Sequence, residues 1–237
     1  LGRVFTKDAS VPDSDTSVAG FAQPMRVAGL AYGDVGPLQW SSDAARKVDF
    51  FDVKADVQAL LAPRQAVFEA ASHPALHPGR CARVLLDGQS IGFIGELHPK
   101  WRQAYELPQA PVLFELALDA VLGRDVPQAR PVPRHQAVER DIALVVAESV
   151  THAALMAAVQ GAATGGVLRQ VTLFDVYRPK AGVPLADDAP VRAGEKSLAV
   201  RLVFNRDDAT LTDDEIDGAV SAVLASAQQA LGARLRT

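Results

Sequence analysis

The sequence predicts an α+β protein of two domains, built from antiparallel sheets and a small number of helices. Residues 197–204 alternate between apolar and polar side chains, which is the pattern of a half-buried strand. Thr212 and Glu215 form a capping box in front of a long apolar stripe, which predicts a helix. A proline-rich stretch separates the two halves, so we place a linker at residues 127–132 between domains at 1–126 and 133–237.

The first domain is predicted to begin with a strand over residues 25–32 and a helix over residues 48–61. Pro63 ends this helix, because proline cannot continue the backbone hydrogen bonds of a helix. The apolar residues of the helix recur at a spacing of three or four and define its inward face: Phe50, Val53, Val57, Leu60 and Leu61.

A hairpin is predicted over residues 82–94, because Asp87 and Gly88 supply the positive backbone angles of a two-residue turn. Pro99 suits the first turn of a short helix. Residues 112–118 complete the domain as another strand. The result is an antiparallel sheet with helices.

The second domain alternates strands and helices in a recognisable order. Strands are predicted at residues 141–146, 167–177, 197–204 and 233–236, with helices at 151–159 and from Thr212 onward. The order strand, helix, strand, strand, helix, strand is the ferredoxin-like βαββαβ arrangement.

Alternation also assigns the two faces of this second sheet. The face toward the helices is predicted to carry Ile142, Leu144, Phe174, Val176, Leu198, Val200, Leu202 and Phe204. The opposite, uncovered face is predicted to carry Ala143, Asp175, Tyr177, Ser197, Ala199 and Arg201.

Composition excludes several classes of function. The formal net charge of -4 argues against a general polyanion binder, although the acids that gather at 187–188 and 207–217 leave room for a locally positive surface. No stretch approaches the roughly 20 apolar residues of a membrane span, and the first residues lack the layout of a signal peptide. The single cysteine, Cys81, is predicted to be a buried core residue. We therefore expect a cytoplasmic protein without a membrane partner.

The sequence offers no catalytic or metal site. His73 and His77 have the spacing of a helical metal motif, but Pro74 and Pro78 follow them and disfavour helical geometry. These histidines, and His98, are predicted to be turn residues. The glycines at 92 and 95 are predicted to allow close packing, since no phosphate-binding lysine follows them. No arrangement of nucleophile and base is recognisable.

The uncovered face of the second sheet suits single-stranded RNA, whose splayed bases stack on aromatic rings and present their edges to polar groups. An ordinary solvated face with one exposed tyrosine is the alternative on pattern alone. Under the RNA interpretation, Arg234 and Arg236 in the last strand are predicted to contact phosphates.

Five motifs give the chain a resemblance to a known family. Residues 68–79 and 91–99 resemble the synthetase-like module of bacterial phenylalanyl-tRNA synthetase beta chains. Residues 140–143, 173–178 and 194–199 resemble the anticodon-binding domain of the same family. The resemblance covers essentially the whole chain and follows the family's order.

This resemblance implies a non-catalytic class II synthetase-like module at residues 1–126, which docks on the alpha subunit of an (αβ)2 heterotetramer. The alpha chain of the family holds the phenylalanine site and ATP with magnesium, so we expect no cofactor in this part of the beta chain. The chain would support aminoacylation as part of the holoenzyme and be inactive alone.

The resemblance further implies that the second domain binds the anticodon stem-loop of phenylalanine tRNA, whose anticodon is GAA. Asp175 would accept both Watson-Crick donors of the guanine, and Tyr177 would stack on that base. Ser197 would add a hydrogen bond, Ala143 would leave room for the base, and Arg201 would belong to the same face. The loop at 178–194 is longer than the family pattern.

Two other functions compete with this interpretation. The same order of elements builds small-molecule domains that sense amino acids, usually through helix-facing interfaces between protomers. A purely structural scaffold is the third hypothesis. Neither requires Tyr177 and Asp175 on an uncovered sheet face.

Overall fold

The computed structural model describes residues 1–37, 39–40, 46–124, 126, 129, 134–179 and 189–236. The chain divides into two compact units, Leu1–Pro127 and Gln128–Thr237, each with its own apolar core. Most of the predicted linker at 127–132 lies outside the described residues, as do Asp187 and Asp188 of the 178–194 loop. No helix among the described residues has the length and apolar character needed to cross a membrane.

The first unit is built on a six-stranded antiparallel sheet. The strands of this unit are β1 (Gly2–Arg3), β2 (Thr6–Lys7), β3 (Phe21–Ala22), β4 (Met25–Ala31), β5 (Val67–Ala70), β6 (Leu76–Leu86), β7 (Gln89–Leu97) and β8 (Val112–Ala117). They pair in the order β1-β4-β8-β7-β6-β5, while β2 and β3 form a separate pair. The helices are α1 (Phe50–Leu61), α2 (Pro99–Ala104) and α3 (Leu118–Leu122).

Helix α1 covers one face of this sheet. Asp49 caps the helix, and its carboxylate accepts from two backbone amides of the first turn while the Asp52 side chain accepts from the Asp49 amide. Val53, Val57 and Leu61 are buried in the core, as predicted. The other two residues of the predicted inward face, at positions 50 and 60, are only half-buried.

The hairpin of β6 and β7 turns at the predicted dipeptide. Asp87 and Gly88 have φ angles of 52° and 77°, the left-handed region that this type of turn requires. Gly92 in β7 allows the close approach of β8, because a Cβ at this position would overlap the carbonyl oxygen of Glu115. Cys81 in β6 is buried, and this burial raises the pKa of its thiol.

The three histidines predicted to be turn residues occupy three different settings: His73 precedes a turn, His77 lies in β6 and His98 caps α2. The Nδ1 atom of His73 accepts from the Ala75 amide, at 3.2 Å. His77 and His98 make the same bond to the amide two residues ahead, each at 3.0 Å. Each ring therefore stabilises its own local backbone, as an aspartate or asparagine often does, and the prediction of turn residues is wrong for His77 and His98.

The second unit has the predicted ferredoxin-like order, which confirms the fold class. Its elements are β9 (Val138–Ala147), α4 (His152–Gln160), β10 (Leu168–Tyr177), β11 (Glu195–Phe204), α5 (Asp213–Leu231) and β12 (Arg234–Leu235). The strands pair antiparallel in the order β10-β11-β9-β12, so β11 and β9 are central.

Helix α5 begins at the predicted capping box. The Thr212 hydroxyl accepts from the Glu215 amide, and the Glu215 carboxylate accepts from the Thr212 amide at 2.8 Å. Gly232 ends the helix in the left-handed conformation. The buried side of α5 and that of α4 pack on one face of the sheet, where Leu198, Val200, Leu202 and Phe204 are buried as predicted.

The predicted direction of Phe174 is wrong. A β-bulge interrupts the pairing of β10 with β11 between Leu173 and Asp175, so that Leu173 lies opposite Val200 and Asp175 opposite Ala199. Leu173 therefore packs on the core, and Phe174 is 54% exposed. The bulge adds one residue to the strand, which resets the alternation on which the prediction relied.

Candidate nucleic-acid interface

The uncovered side of the second sheet, which we call the open face, is organised in rows that run across the strands. Directly opposite residues of antiparallel strands share a face. One row joins Tyr177, Ser197, Val145 and Arg234, the next joins Asp175, Ala199 and Ala143, and the third joins Thr172, Arg201 and Asp141. Both helices of this unit pack on the other side of the sheet. The predicted residues therefore do lie together on one surface.

Asp175 is exposed, and its carboxylate is unengaged by the part of the chain that the structure describes. Its carboxylate makes no hydrogen bond or ion pair with any residue that the structure describes. Ala199 and Ala143 follow it in the same row and add only methyl groups to the surface. The row thus combines a carboxylate that has no partner among the described residues with two small side chains that leave room for a planar ligand.

Tyr177 lies at the outer edge of the sheet and is 43% exposed. The guanidinium of Arg236 is 5.0 Å from the centroid of its ring, a cation-π arrangement. Arg236 directly follows β12, the strand at the opposite edge, and its amide donates to the carbonyl of Ala143 at 2.8 Å. The arginine therefore reaches across the open face to the tyrosine.

Ser197 occupies the predicted face but is only 2% exposed. Val145, its neighbour in the row, is equally buried. The predicted hydrogen bond from the Ser197 hydroxyl to a base therefore requires this hydroxyl to become accessible first.

The three arginines predicted to lie in the RNA interface differ in how they are engaged. Arg234 donates to Glu195 at 2.7 Å, and its charge is thereby offset. Arg201 donates to both carboxylate oxygens of Asp141, each at 2.9 Å. Arg236 makes no ion pair within the described part of the chain. Arg236 is therefore the best placed of the three for a phosphate.

Phe174 is a member of the open face that the sequence alone did not reveal. Its ring lies 5.6 Å from the guanidinium carbon of Arg201. The bulge brings Phe174 to the same side as Asp175, its neighbour in sequence. A bulge depends on pairing with a partner strand, and strict alternation along β10 therefore could not predict this position.

Two carboxylates around the open face have lowered pKa values. The Arg201 side chain, by hydrogen bonding, holds the pKa of Asp141 below its ordinary value of 3.8. The backbone amide of Arg192 is the main cause for Glu195, whose pKa lies below 4.5, and Arg234 adds to it. Both carboxylates are charged and paired at neutral pH, which stabilises the fold.

Asp141→Asn is expected to reduce the acid sensitivity of the protein. Because the pKa of Asp141 is lower in the folded state, its stabilisation is present above pH 3.8 and is lost as the pH falls through the folded value. The variant should be less stable than the parent at pH 7, and the difference should shrink toward pH 2. Urea unfolding at several pH values, followed by circular dichroism, measures this.

Asp217→Asn provides the control for that series, since Asp217 is exposed on α5 and has no partner among the described residues. It should leave the pH profile of unfolding close to that of the parent. A constant difference between parent and Asp141→Asn at all pH values would contradict the role of the ion pair.

The first unit contains a cavity of about 640 Å³ beside the start of α1. Phe50, Lys54 and Phe68 line it, together with the ion pair of Arg80 and Glu96, which joins their side chains at 2.6 Å. No sequence-predicted site residue lies there. Within the described ranges, no group of three or more His, Cys, Asp or Glu side chains is placed to hold a metal ion.

Comparisons with known proteins agree on one family. Residues 1–118 match the family model of the phenylalanyl tRNA synthetase beta chain CLM domain, and residues 133–236 match the ferredoxin-fold anticodon binding domain. The whole chain is 53% identical to part of the phenylalanine-tRNA ligase beta subunit of Ralstonia nicotianae. The corresponding proteins of Aromatoleum aromaticum and Cupriavidus pinatubonensis are 48% and 45% identical, again over the whole chain. The chain spans only 28–29% of the length of these relatives.

Proposed function

The chain belongs to the family of phenylalanine-tRNA ligase beta subunits, and from this premise we propose that its second unit binds the anticodon stem-loop of phenylalanine tRNA. The observation that carries the proposal is the open face, where Asp175 and Tyr177 lie in adjacent rows beside a floor of two alanines. A ring, a free carboxylate and a shallow floor are what an unstacked base requires.

The chemistry assigns a role to each of these residues. Guanine presents two donors on its Watson-Crick edge, and the unengaged carboxylate of Asp175 accepts both. Tyr177 stacks on the same base. Arg236 lies over the tyrosine ring and, having no carboxylate partner in the described chain, can turn toward a phosphate when a base stacks on that ring.

The first unit has the role of a docking module in this proposal. A non-catalytic class II synthetase-like domain would pack against the alpha subunit of an (αβ)2 heterotetramer in the cytoplasm. Phenylalanine, ATP and magnesium would bind to the alpha chain, and the fragment alone would have no ligase activity. The beta chain would thereby hold the tRNA while the alpha chain aminoacylates it.

The amino-acid sensor is the less favoured alternative. Sensors of this fold bind ligands at helix-facing interfaces, whereas here the sheet surface under α4 and α5 is filled by buried core residues such as Leu155 and Val223. The polar and aromatic groups lie on the opposite side of the sheet.

Tyr177→Ala is expected to weaken binding of a GAA anticodon stem-loop about tenfold, since a base that stacks on an aromatic ring contributes roughly 1–3 kcal/mol. Tyr177→Phe keeps the ring and should bind almost as the parent does. Fluorescence anisotropy of a labelled stem-loop, titrated with the 237-residue chain, measures the affinity.

Tyr32→Ala is the matched control, because Tyr32 is 45% exposed and belongs to the first unit. It should leave the affinity unchanged. If Tyr177→Ala and Tyr32→Ala bind the stem-loop equally well, the open face is not the RNA-binding surface.

A further inference from the structure

We infer that Phe174 and Arg201 form a second base-binding position on the open face, which takes the second or third nucleotide of the anticodon. This inference rests on the proposed function, because it concerns the same RNA. It extends the contact beyond the guanine and gives one of the two adenines of a GAA anticodon a specific place on the protein.

Phe174 has the exposure that a stacking platform needs. The bulge in β10 turns its ring away from the core, and more than half of the side chain is in contact with solvent. The bulge also places Phe174 on the same side of the sheet as Asp175, the residue proposed to accept hydrogen bonds from the guanine. Bulges often redirect a side chain next to a functional site.

The guanidinium of Arg201 lies over that ring, with its central carbon 5.6 Å from the ring centroid. Asp141 fixes its guanidinium through two parallel hydrogen bonds of 2.9 Å, and a carboxylate oxygen of Glu139 lies 3.4 Å away. These acids offset the positive charge, so the residue is poorly suited to attract a phosphate. A planar guanidinium that is already oriented is well suited to stack on a base.

The charges around this position also favour a base over the RNA backbone. The two carboxylates of Asp141 and Glu139 surround the single guanidinium of Arg201, and the net charge of these three side chains is therefore negative. Carboxylate oxygens repel phosphate but accept hydrogen bonds from amino groups. Adenine carries such an amino group at N6.

The distance along β10 requires two different nucleotides. Phe174 lies three residues before Tyr177 on this strand, a separation of about 10 Å. A base that stacks on one of these rings cannot stack on the other, so a base at Phe174 must belong to another nucleotide than the base at Tyr177.

The test uses GAA anticodon stem-loops in which 2-aminopurine replaces the adenine at the second or the third position. The fluorescence of 2-aminopurine changes when the base leaves the RNA stack and stacks on a protein ring. Titration with the 237-residue chain should change the signal at one of these positions. Phe174→Ala should abolish that change and weaken binding at least fivefold.

Two further variants make the result specific. Phe174→Trp retains an aromatic platform and should restore both the fluorescence change and the affinity. Phe51→Ala removes another exposed phenylalanine, in the first unit, and should have no effect. Circular dichroism of Phe174→Ala should match the parent, because the ring lies outside the core.

The outcomes separate this inference from the proposed function. If Tyr177→Ala weakens binding and Phe174→Ala changes neither the affinity nor the 2-aminopurine signal, the second position is overturned and RNA binding by the open face stands. If neither variant weakens binding, both proposals fail. If Phe174→Ala weakens binding while the fluorescence change persists, Phe174 acts through Tyr177 and the inference is again overturned.

Discussion

Phe204→Ala is expected to lower the free energy of unfolding of the second unit by about 3–5 kcal/mol. The Phe204 side chain is fully buried at the end of β11, within the cluster formed by the sheet and both helices. Truncation removes apolar contacts and leaves a cavity, because a close-packed interior relaxes only in part.

Hydrogen exchange followed by mass spectrometry measures this change in the intact chain. Peptides from β9 and β11 report on the second unit, while peptides from β7 and β8 in the first unit serve as an internal control. The same chain offers a matched substitution, Phe174→Ala, which removes the same side chain from the exposed side of the sheet. We expect it to change the unfolding free energy by less than about 1 kcal/mol.

The comparison of these two phenylalanines tests the assignment of the faces. Phe204 was placed correctly by alternation along β11, whereas Phe174 was not. If both substitutions destabilise the unit to a similar extent, the bulge does not turn Phe174 away from the core. Equal and small effects would instead place Phe204 outside the packed core.

The elements that were predicted correctly are those whose sequence patterns lie within a short segment of the chain. The turn at Asp87 and Gly88, the capping box of Thr212 and Glu215, and the regular alternation of β11 each depend on residues close together in the sequence. Such signals reflect backbone geometry and local hydrogen bonds, which a short segment specifies without reference to the rest of the fold.

The elements that were missed are short or lie at the edge of a sheet. Strands β1, β2 and β3 contain two residues each, too few for a periodic pattern. Strand β5 pairs only with β6, and three of its four residues are exposed. Their conformation is set by the neighbouring strand and not by their own composition.

The candidate site likewise contains positions that the sequence predicted and contacts that it could not predict. Alternation placed Asp175 and Tyr177 on the open face, and the structure has them there. The pairing of Arg201 with Asp141 joins residues on different strands, and it follows from the register of β11 with β9. The burial of Ser197 likewise depends on neighbours across the sheet. Sequence reasoning therefore identified the surface but not which of its groups are free to bind.

Asp175→Ala is expected to remove the preference for guanine at the first anticodon position. A carboxylate that accepts both donors of the guanine edge discriminates against adenine by about 1–3 kcal/mol, since adenine presents an acceptor where guanine presents a donor. The parent chain should therefore bind a GAA stem-loop roughly 10- to 100-fold more tightly than an AAA stem-loop, which is the ratio of affinities that such a free-energy difference gives. The variant should bind both with similar affinity.

The ratio of the two affinities is the decisive quantity, because removal of a negative charge also strengthens binding of any RNA at low salt. Asp217→Ala controls for this effect, since it removes the same charge from α5, on the other side of the sheet. It should raise both affinities slightly and preserve their ratio. Asp175→Asn keeps one acceptor oxygen and should retain part of the discrimination. If Asp175→Ala instead keeps the parent's ratio, another group reads the guanine, and Tyr177 provides only stacking that any base can use.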